Sequence, residues 1–208
     1  MNTTIYLIRH SETLKNCQTI KKIDNILTEN IKSCLSIEGE EKAKEYFLSE
    51  EFNNIDAVYS SNYVRAISTA KYIAAYNNIN LNIRDNFNER IHGINDWQEL
   101  PSNFELNQMQ DELYKIGYGE SQKEVKERML EGINEILDEH KGKRVAIVSH
   151  ATAITFLLSV WCQINYLDNY IFNNQIFFDG KFNYLETFKL IFDKNNKLID
   201  ITNIKPWI

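Results

Sequence analysis

Two histidines in this 208-residue chain each follow directly on an apolar run: His10 after Thr4-Ile5-Tyr6-Leu7-Ile8-Arg9, and His150 after Arg144-Val145-Ala146-Ile147-Val148-Ser149. Arg65 comes soon after a third run, Asp56-Ala57-Val58-Tyr59-Ser60-Ser61, and Glu89 follows a fourth, Leu81 to Phe87. An imidazole can attack as a nucleophile or donate a hydrogen bond near neutral pH. A guanidinium grips a compact oxyanion through paired planar hydrogen bonds that lysine cannot reproduce. A carboxyl group can carry a proton to or from a reacting oxygen. Two arginines, two histidines and one carboxylate, with no cysteine or histidine spacing suited to a metal, fit an oxyanion site, and phosphate is the natural occupant. No metal or cofactor is expected. An isolated Arg-His pair would be no more than a basic strand end; the recurrence at later strand ends gives it weight.

These residues need elements that bring them to one rim. The run Thr4 to Ile8 has no polar alternation, the pattern of a central strand covered on both faces. In open parallel α/β sheets, ligands bind at the carboxyl ends of such strands. The polar stretch from His10 to about Leu35 reads as a long loop. Ser36 is placed as an N-cap, with Glu38, Glu40 and Glu41 in the first turn and Ala43, Tyr46 and Phe47 facing inward. Val64, Ile67, Ala70 and Ala74 give the next helix its inward stripe, with Arg65 in its first turn. Leu81 to Phe87 reads as a third strand delivering Asn88-Glu89-Arg90-Ile91-His92-Gly93. Trp97 to Gly119, with Pro101 and scattered aromatics, reads as a helical excursion, part of a cover at about 90–120 over the site. Ser121-Gln122-Lys123-Glu124 is a capping box opening a helix through Val125, Met129, Ile133, Ile136 and Leu137, with His140 at its end as a structural residue. Ala151 to Cys162 reads as a buried helix. Thr187–Phe192 and Leu198–Ile201 are expected to finish the sheet as two strands around Asp193-Lys194-Asn195-Asn196.

Composition bounds the function. Hydrophobic residues make up 43% and charged residues 25%, as in ordinary globular domains, and the length suits one domain spanning 1–208. With 23 basic and 29 acidic side chains the net charge is −6, so no global field favours nucleic acid, and an anionic ligand needs a local cluster. Three cysteines at unrelated spacings form no disulfide or metal framework, which suits a reducing cytoplasm. Neither a signal peptide nor a membrane span is expected. A small-molecule partner is expected, and a homo-oligomer is left open.

The motifs carry a family resemblance. Arg9-His10-Ser11-Glu12-Thr13 with Asn16 resembles the Arg-His-Gly segment of the histidine phosphatase superfamily, in its phosphoglycerate-mutase-like branch. Leu35-Ser36 with Gly39 and Ala43 is similar to the family's Leu-Thr-x-x-Gly-x-x-Gln-Ala helix start, and Ser60-Ser61-x-x-x-Arg65-Ala66 to its Ser-Ser-Pro-x-x-Arg-Ala segment. Asn88-Glu89 with Gly93, Gly119-Glu120-Ser121 and Val148-Ser149-His150 match the remaining segments in order. The resemblance implies a three-layer αβα sandwich with a mostly parallel central sheet. It also implies roles: His10 as nucleophile, Arg9, Arg65, His150 and Asn16 as phosphoryl ligands, and Glu89 as proton donor and acceptor, without a metal.

Ser11 and Ala151 stand where the family has glycine, and Asn62 where it has proline. Ser11 is for that reason a candidate for specificity; Arg90, which could meet a substrate carboxylate, and His92, a loop residue near the site, are two more. Trp97, Trp161 and Trp207 are read as packing anchors, and Cys17 as a bystander thiol. Hydrolysis of a small phosphoester is the leading reading. A mutase-type phosphoryl transfer is second, because Asn88-Glu89-Arg90 looks mutase-like; against it, Lys115 is the sole cation between Trp97 and Glu120. A phospho-ligand-binding pseudoenzyme is the non-enzymatic alternative.

Overall fold

The apolar run at the amino end becomes β1 (Thr3–Arg9). In the computed structural model, which describes residues 1–14 and 25–206, its side chains divide between two layers. Ile5 and Leu7 enter one core and Tyr6 and Ile8 the other, all fully buried. A strand with apolar neighbours on both faces cannot alternate polar residues, which explains the unbroken run.

The remaining strands in chain order are β2 (Ala57–Ser60), β3 (Leu81–Ile83), β4 (Arg144–Ser149), β5 (Gln163–Ile164), β6 (Tyr170–Phe172), β7 (Gln175–Phe178), β8 (Thr187–Phe192) and β9 (Leu198–Ile204). The six-stranded sheet has the order β3-β2-β4-β1-β8-β9. Its first four strands are mutually parallel, β8 is antiparallel to β1, and β9 is antiparallel to β8. The carboxyl ends of β1, β2 and β4 therefore share one edge.

The helices are α1 (Ile26–Lys32), α2 (Ile37–Tyr46), α3 (Val64–Tyr76), α4 (Phe104–Gln110), α5 (Gln122–Glu139) and α6 (Ala151–Leu158). α2 and α3 cover the Tyr6 and Ile8 face, and α5 and α6 cover the other, giving the expected three layers. Ser36 caps α2 by accepting from Gly39 N, and Ser121 and Glu124 close a reciprocal capping box on α5. Among the described residues no helix is long and apolar enough to cross a membrane.

Four local expectations change. The stretch between His10 and Leu35 contains α1, and its flanks are pinned by Leu14 N donating to Cys34 O and Ser36 N to Glu12 O. The buried stripe of α3 is Ala66, Ala70, Ile73 and Ala74, with Val64 exposed. Small residues let this helix sit close to the sheet, and its polar Arg65 and Thr69 are buried toward the His10 loop. The strand expected over Leu81 to Phe87 stops at Ile83, and Asp85–Phe87 turns as a short 3-10 segment that delivers Glu89. β5, β6 and β7 form a second, three-stranded antiparallel sheet that the pattern did not suggest.

Candidate functional site

His10 leaves the end of β1 with its backbone N–H donating to Ser149 O, 3.0 Å away on the neighbouring strand. Its ring Nδ1 lies 2.8 Å from Ser11 O. A carbonyl can only accept, so Nδ1 carries the hydrogen and the Nε2 lone pair is left available. The Nε–H of Arg65 donates to that Nε2 at 3.1 Å. Burial, and then the charges of Arg65 and Arg9, hold the His10 pKa well below its ordinary value, so the ring is neutral at pH 7.

Arg65 is 6% exposed; it stacks over the Tyr63 ring at 4.9 Å and also donates from Nη1 to Asn30 O. Arg9 donates from Nη1 to Phe182 O at 2.9 Å and lies 4.6 Å from the centroid of Tyr184, while its buried Nε finds no partner among the described residues. Burial lowers both arginine pKa values from the ordinary value. His150, fully buried at the end of β4, has its ring 5.2 Å from that of His10 and 4.9 Å from that of Tyr63. Its Nε2 is 2.8 Å from Ser61 Oγ, and its Nδ1 has no partner among the described residues. Burial, followed by Arg65, His10, Arg128 and Arg9, keeps this ring neutral as well.

Glu89 approaches from the segment after the 3-10 turn. Its Oε1 accepts from Arg90 N at 2.9 Å and from Ala153 N at 3.1 Å, in the first turn of α6, whose free N–H groups fix one oxygen and leave Oε2 for other partners. Arg128 of α5 holds the segment by donating to Asn86 O, Asn88 O and Glu89 O. Glu120 fixes Arg128 at 2.8 and 3.0 Å and accepts from Ile91 N. One buttress therefore ties the acid segment to the long helix.

The tight loop after His10 explains two further residues. A Cβ on Gly39 would stand 2.0 Å from Glu12 O, so only glycine lets α2 press against this backbone. Ser11 is fully buried, its N–H donating to Thr69 Oγ1 and its hydroxyl to Gly39 O at 2.7 Å. The hydroxyl of Ser11, a residue expected as a candidate for specificity, is thus bonded to the backbone of α2.

Arg90 is 3% exposed and donates to Glu105 Oε1 at 2.8 Å. His92 packs against the rings of Trp97 and Phe104, with burial and Arg90 pushing its pKa down to about 4. His140 receives its expected structural role at the end of α5, bonded to Tyr59. The structure brings His10, Arg9, Arg65, His150 and Glu89 to one rim; Asn16, Cys17 and Trp207 lie outside the described residues. Sequence reasoning missed Arg128, Thr69 and Tyr184. Arg128 sits among the other charged residues of an amphipathic helix, and nothing in the spacing separates it from a solvated face.

A family model described as the histidine phosphatase superfamily (branch 1) matches residues 5–174. Comparison with curated proteins finds no match. Among solved structures, a mycobacterial glucosyl-3-phosphoglycerate phosphatase is similar at 16% identity and TM-score 0.71, covering 99% of this chain and 100% of its own. Bacillus stearothermophilus YhfR is similar at 21% identity and TM-score 0.68, covering 95% and 94%. A phosphoserine phosphatase mutant from Entamoeba histolytica, in complex with phosphoserine, is similar at 18% identity and TM-score 0.67, with 96% of each chain covered. These likenesses speak to the fold, and the family match goes further: the chain belongs to the histidine phosphatase superfamily, branch 1.

Proposed function

We propose that the chain hydrolyses a small-molecule phosphomonoester through a phosphohistidine on His10, without a metal. The observation that carries this reading is the opposed pair of hydrogen bonds on the His10 ring: Nδ1 donates to Ser11 O, and Nε2 meets the Arg65 N–H. The first fixes a neutral tautomer; the second places a cation where charge will collect.

In the first step, His10 Nε2 attacks phosphorus while Arg65 turns from the ring to a phosphoryl oxygen. Arg9, His150 and Asn16 bind the other oxygens, and a proton from Glu89 passes to the departing alkoxide as the P–O bond breaks. Glu89 then takes a proton from water as that water attacks the phosphohistidine, releasing inorganic phosphate and restoring neutral His10. The cationic cluster supplies the charge stabilisation a metal gives elsewhere. Residues 1–208 act as one domain, with the stretch at about 90–120 as the cover of the site. Hydrolysis is favoured over mutase-type transfer because Arg90, directly after Glu89, is already paired with Glu105.

The test is His10→Ala with a generic aryl phosphate, together with acid-labile phosphate on His10 in quenched wild-type protein. Turnover should vanish with the fold intact and the label should map to His10. Substantial activity in the variant, or activity lost to chelator and restored by added metal, overturns the reading.

A further inference from the structure

A cavity of about 310 Å³ is lined by neither histidine but by residues that directly follow His150 and Glu89. Part of its wall is Ala151 and Thr152, directly after His150. Another part is Phe182, whose carbonyl accepts from Arg9, and a third is Arg90, directly after Glu89. These neighbours place it on the Glu89 side of the rim, where the alcohol leaving phosphorus must lie if that carboxyl protonates it. Met109, Phe156, Leu167 and Tyr170 complete a largely hydrocarbon lining.

Arg90 and Lys181 are the cations of this lining. Lys181 is exposed, and so is Glu105, whose side chain is 58% accessible, so water screens both. Arg90 is buried, and its charge is already met: Glu105 accepts from Arg90 Nη2 through one carboxylate oxygen and from Tyr166 through the other, at 2.8 and 2.9 Å. Burial pushes the Glu105 pKa up, but Arg90 and Tyr166 outweigh it and the carboxyl stays ionised below its ordinary value. An acidic alcohol entering here finds the buried cation already paired and would have to displace Glu105 from Arg90 to gain a partner, which is unfavourable. A neutral, apolar alcohol meets no such cost and loses its water-exposed hydrocarbon surface.

We propose that this cavity receives the alcohol half of the substrate and selects phosphomonoesters of neutral, bulky, largely apolar alcohols, with the Arg90–Glu105–Tyr166 clasp setting specificity against acidic ones. The proposal rests on the phosphatase reading and names its substrate class.

The experiment compares kcat/KM for 1-naphthylmethyl phosphate, an alkyl ester, and 3-phosphoglycerate in wild-type protein and Glu105→Gln, which keeps hydrogen-bonding groups toward Arg90 and Tyr166 but loses the charge. Wild type should favour the naphthylmethyl ester by at least about 100-fold. Glu105→Gln should narrow that ratio by about 10-fold, mainly through a gain on the acidic ester. A wild-type preference for 3-phosphoglycerate, or a variant that loses equally on both esters, overturns the proposal. Calorimetric titration of His10→Ala with the same two esters reads the preference without turnover. Discrimination in binding with no hydrolysis by wild type would sink the phosphatase reading and leave the cavity assignment standing; hydrolysis without discrimination would do the reverse.

Discussion

Arg65 and His10 are joined through their side chains, the Nε–H of the arginine donating to Nε2 of the histidine at 3.1 Å inside a site that excludes most water. Protonating the ring would set two cations against each other, so the contact holds the proposed nucleophile in its reactive form. A lysine could supply the charge but not the planar fork, which here spans His10 and Asn30 O together. Arg65→Lys should therefore lower kcat/KM on an aryl phosphate by about 100-fold or more, the usual effect of losing one oxyanion donor. A loss under threefold would show that Arg65 acts as a bulk charge.

Glu89 depends on a residue that never needs to touch substrate. Arg128 donates to three carbonyls of the acid segment, those of Asn86, Asn88 and Glu89, and is held by Glu120. Glu89→Gln should slow alkyl phosphates more than aryl phosphates, whose leaving groups need little protonation. Arg128→Met should reproduce that leaving-group dependence in weaker form, with kcat on an alkyl ester falling by about 10-fold and on an aryl ester by less. If Arg128→Met lowers stability and slows both esters alike, Arg128 is a fold buttress with no part in placing the acid.

The histidine and arginine positions were legible because β1 and β4 are buried on both faces and end abruptly in polar residues, so strand ends stand out in the pattern. The capping box at Ser121 and the cap at Ser36 were legible for a similar reason: short-range hydrogen bonds leave short-range signatures. The stripe of α3 was misjudged because Arg65 and Thr69 are buried polar residues facing a site, and a hydrophobicity pattern assigns such residues to solvent. The small sheet β5-β6-β7 was missed because its strands have only two to four residues, too few for alternation to register. Glu105 and Arg128 were beyond reach, since their roles come from partners far along the chain.

His150 offers a prediction about a tautomer. Its Nε2 meets the Ser61 hydroxyl at 2.8 Å, and that same Oγ accepts from Tyr63 N at 3.2 Å. With a backbone N–H already on its lone pairs, Ser61 is set up to donate to Nε2, which puts the hydrogen of neutral His150 on Nδ1. A phosphoryl dianion has only acceptors, so Nδ1–H is the useful form. Ser61→Ala removes this bias and should weaken inhibition by inorganic phosphate by about 10-fold, within the worth of one hydrogen bond to a charged group. In 15N NMR the His150 Nδ1 should be the protonated nitrogen in wild type and a mixture in the variant. Finding Nε2 protonated in wild type would reverse the assignment.

The buried imidazoles also fix how stability responds to acid. His10 and His150 have pKa values held well below the ordinary 6.5, and His92 is pushed down to about 4, in each case with burial as the largest cause. In the unfolded chain these rings titrate near 6.5. Below that pH the unfolded state binds protons that the folded state refuses, so stability falls as pH falls. The contribution is fully present above about pH 6.5 and is lost progressively toward the folded values, for His92 by about pH 4. Each ring adds at most about 1.4 kcal/mol per pH unit to the slope. The lowered carboxylates, such as Glu51 and Asp56, act in the same direction but only at lower pH, where the unfolded chain's carboxylates begin to protonate. Urea unfolding at pH 7.5, 6.0 and 5.0 should therefore give a falling free energy at constant m-value, and His92→Asn should make that fall shallower. A wild-type stability that stays level or rises between pH 7.5 and 5.0 would mean that at least one of these rings is charged in the folded protein.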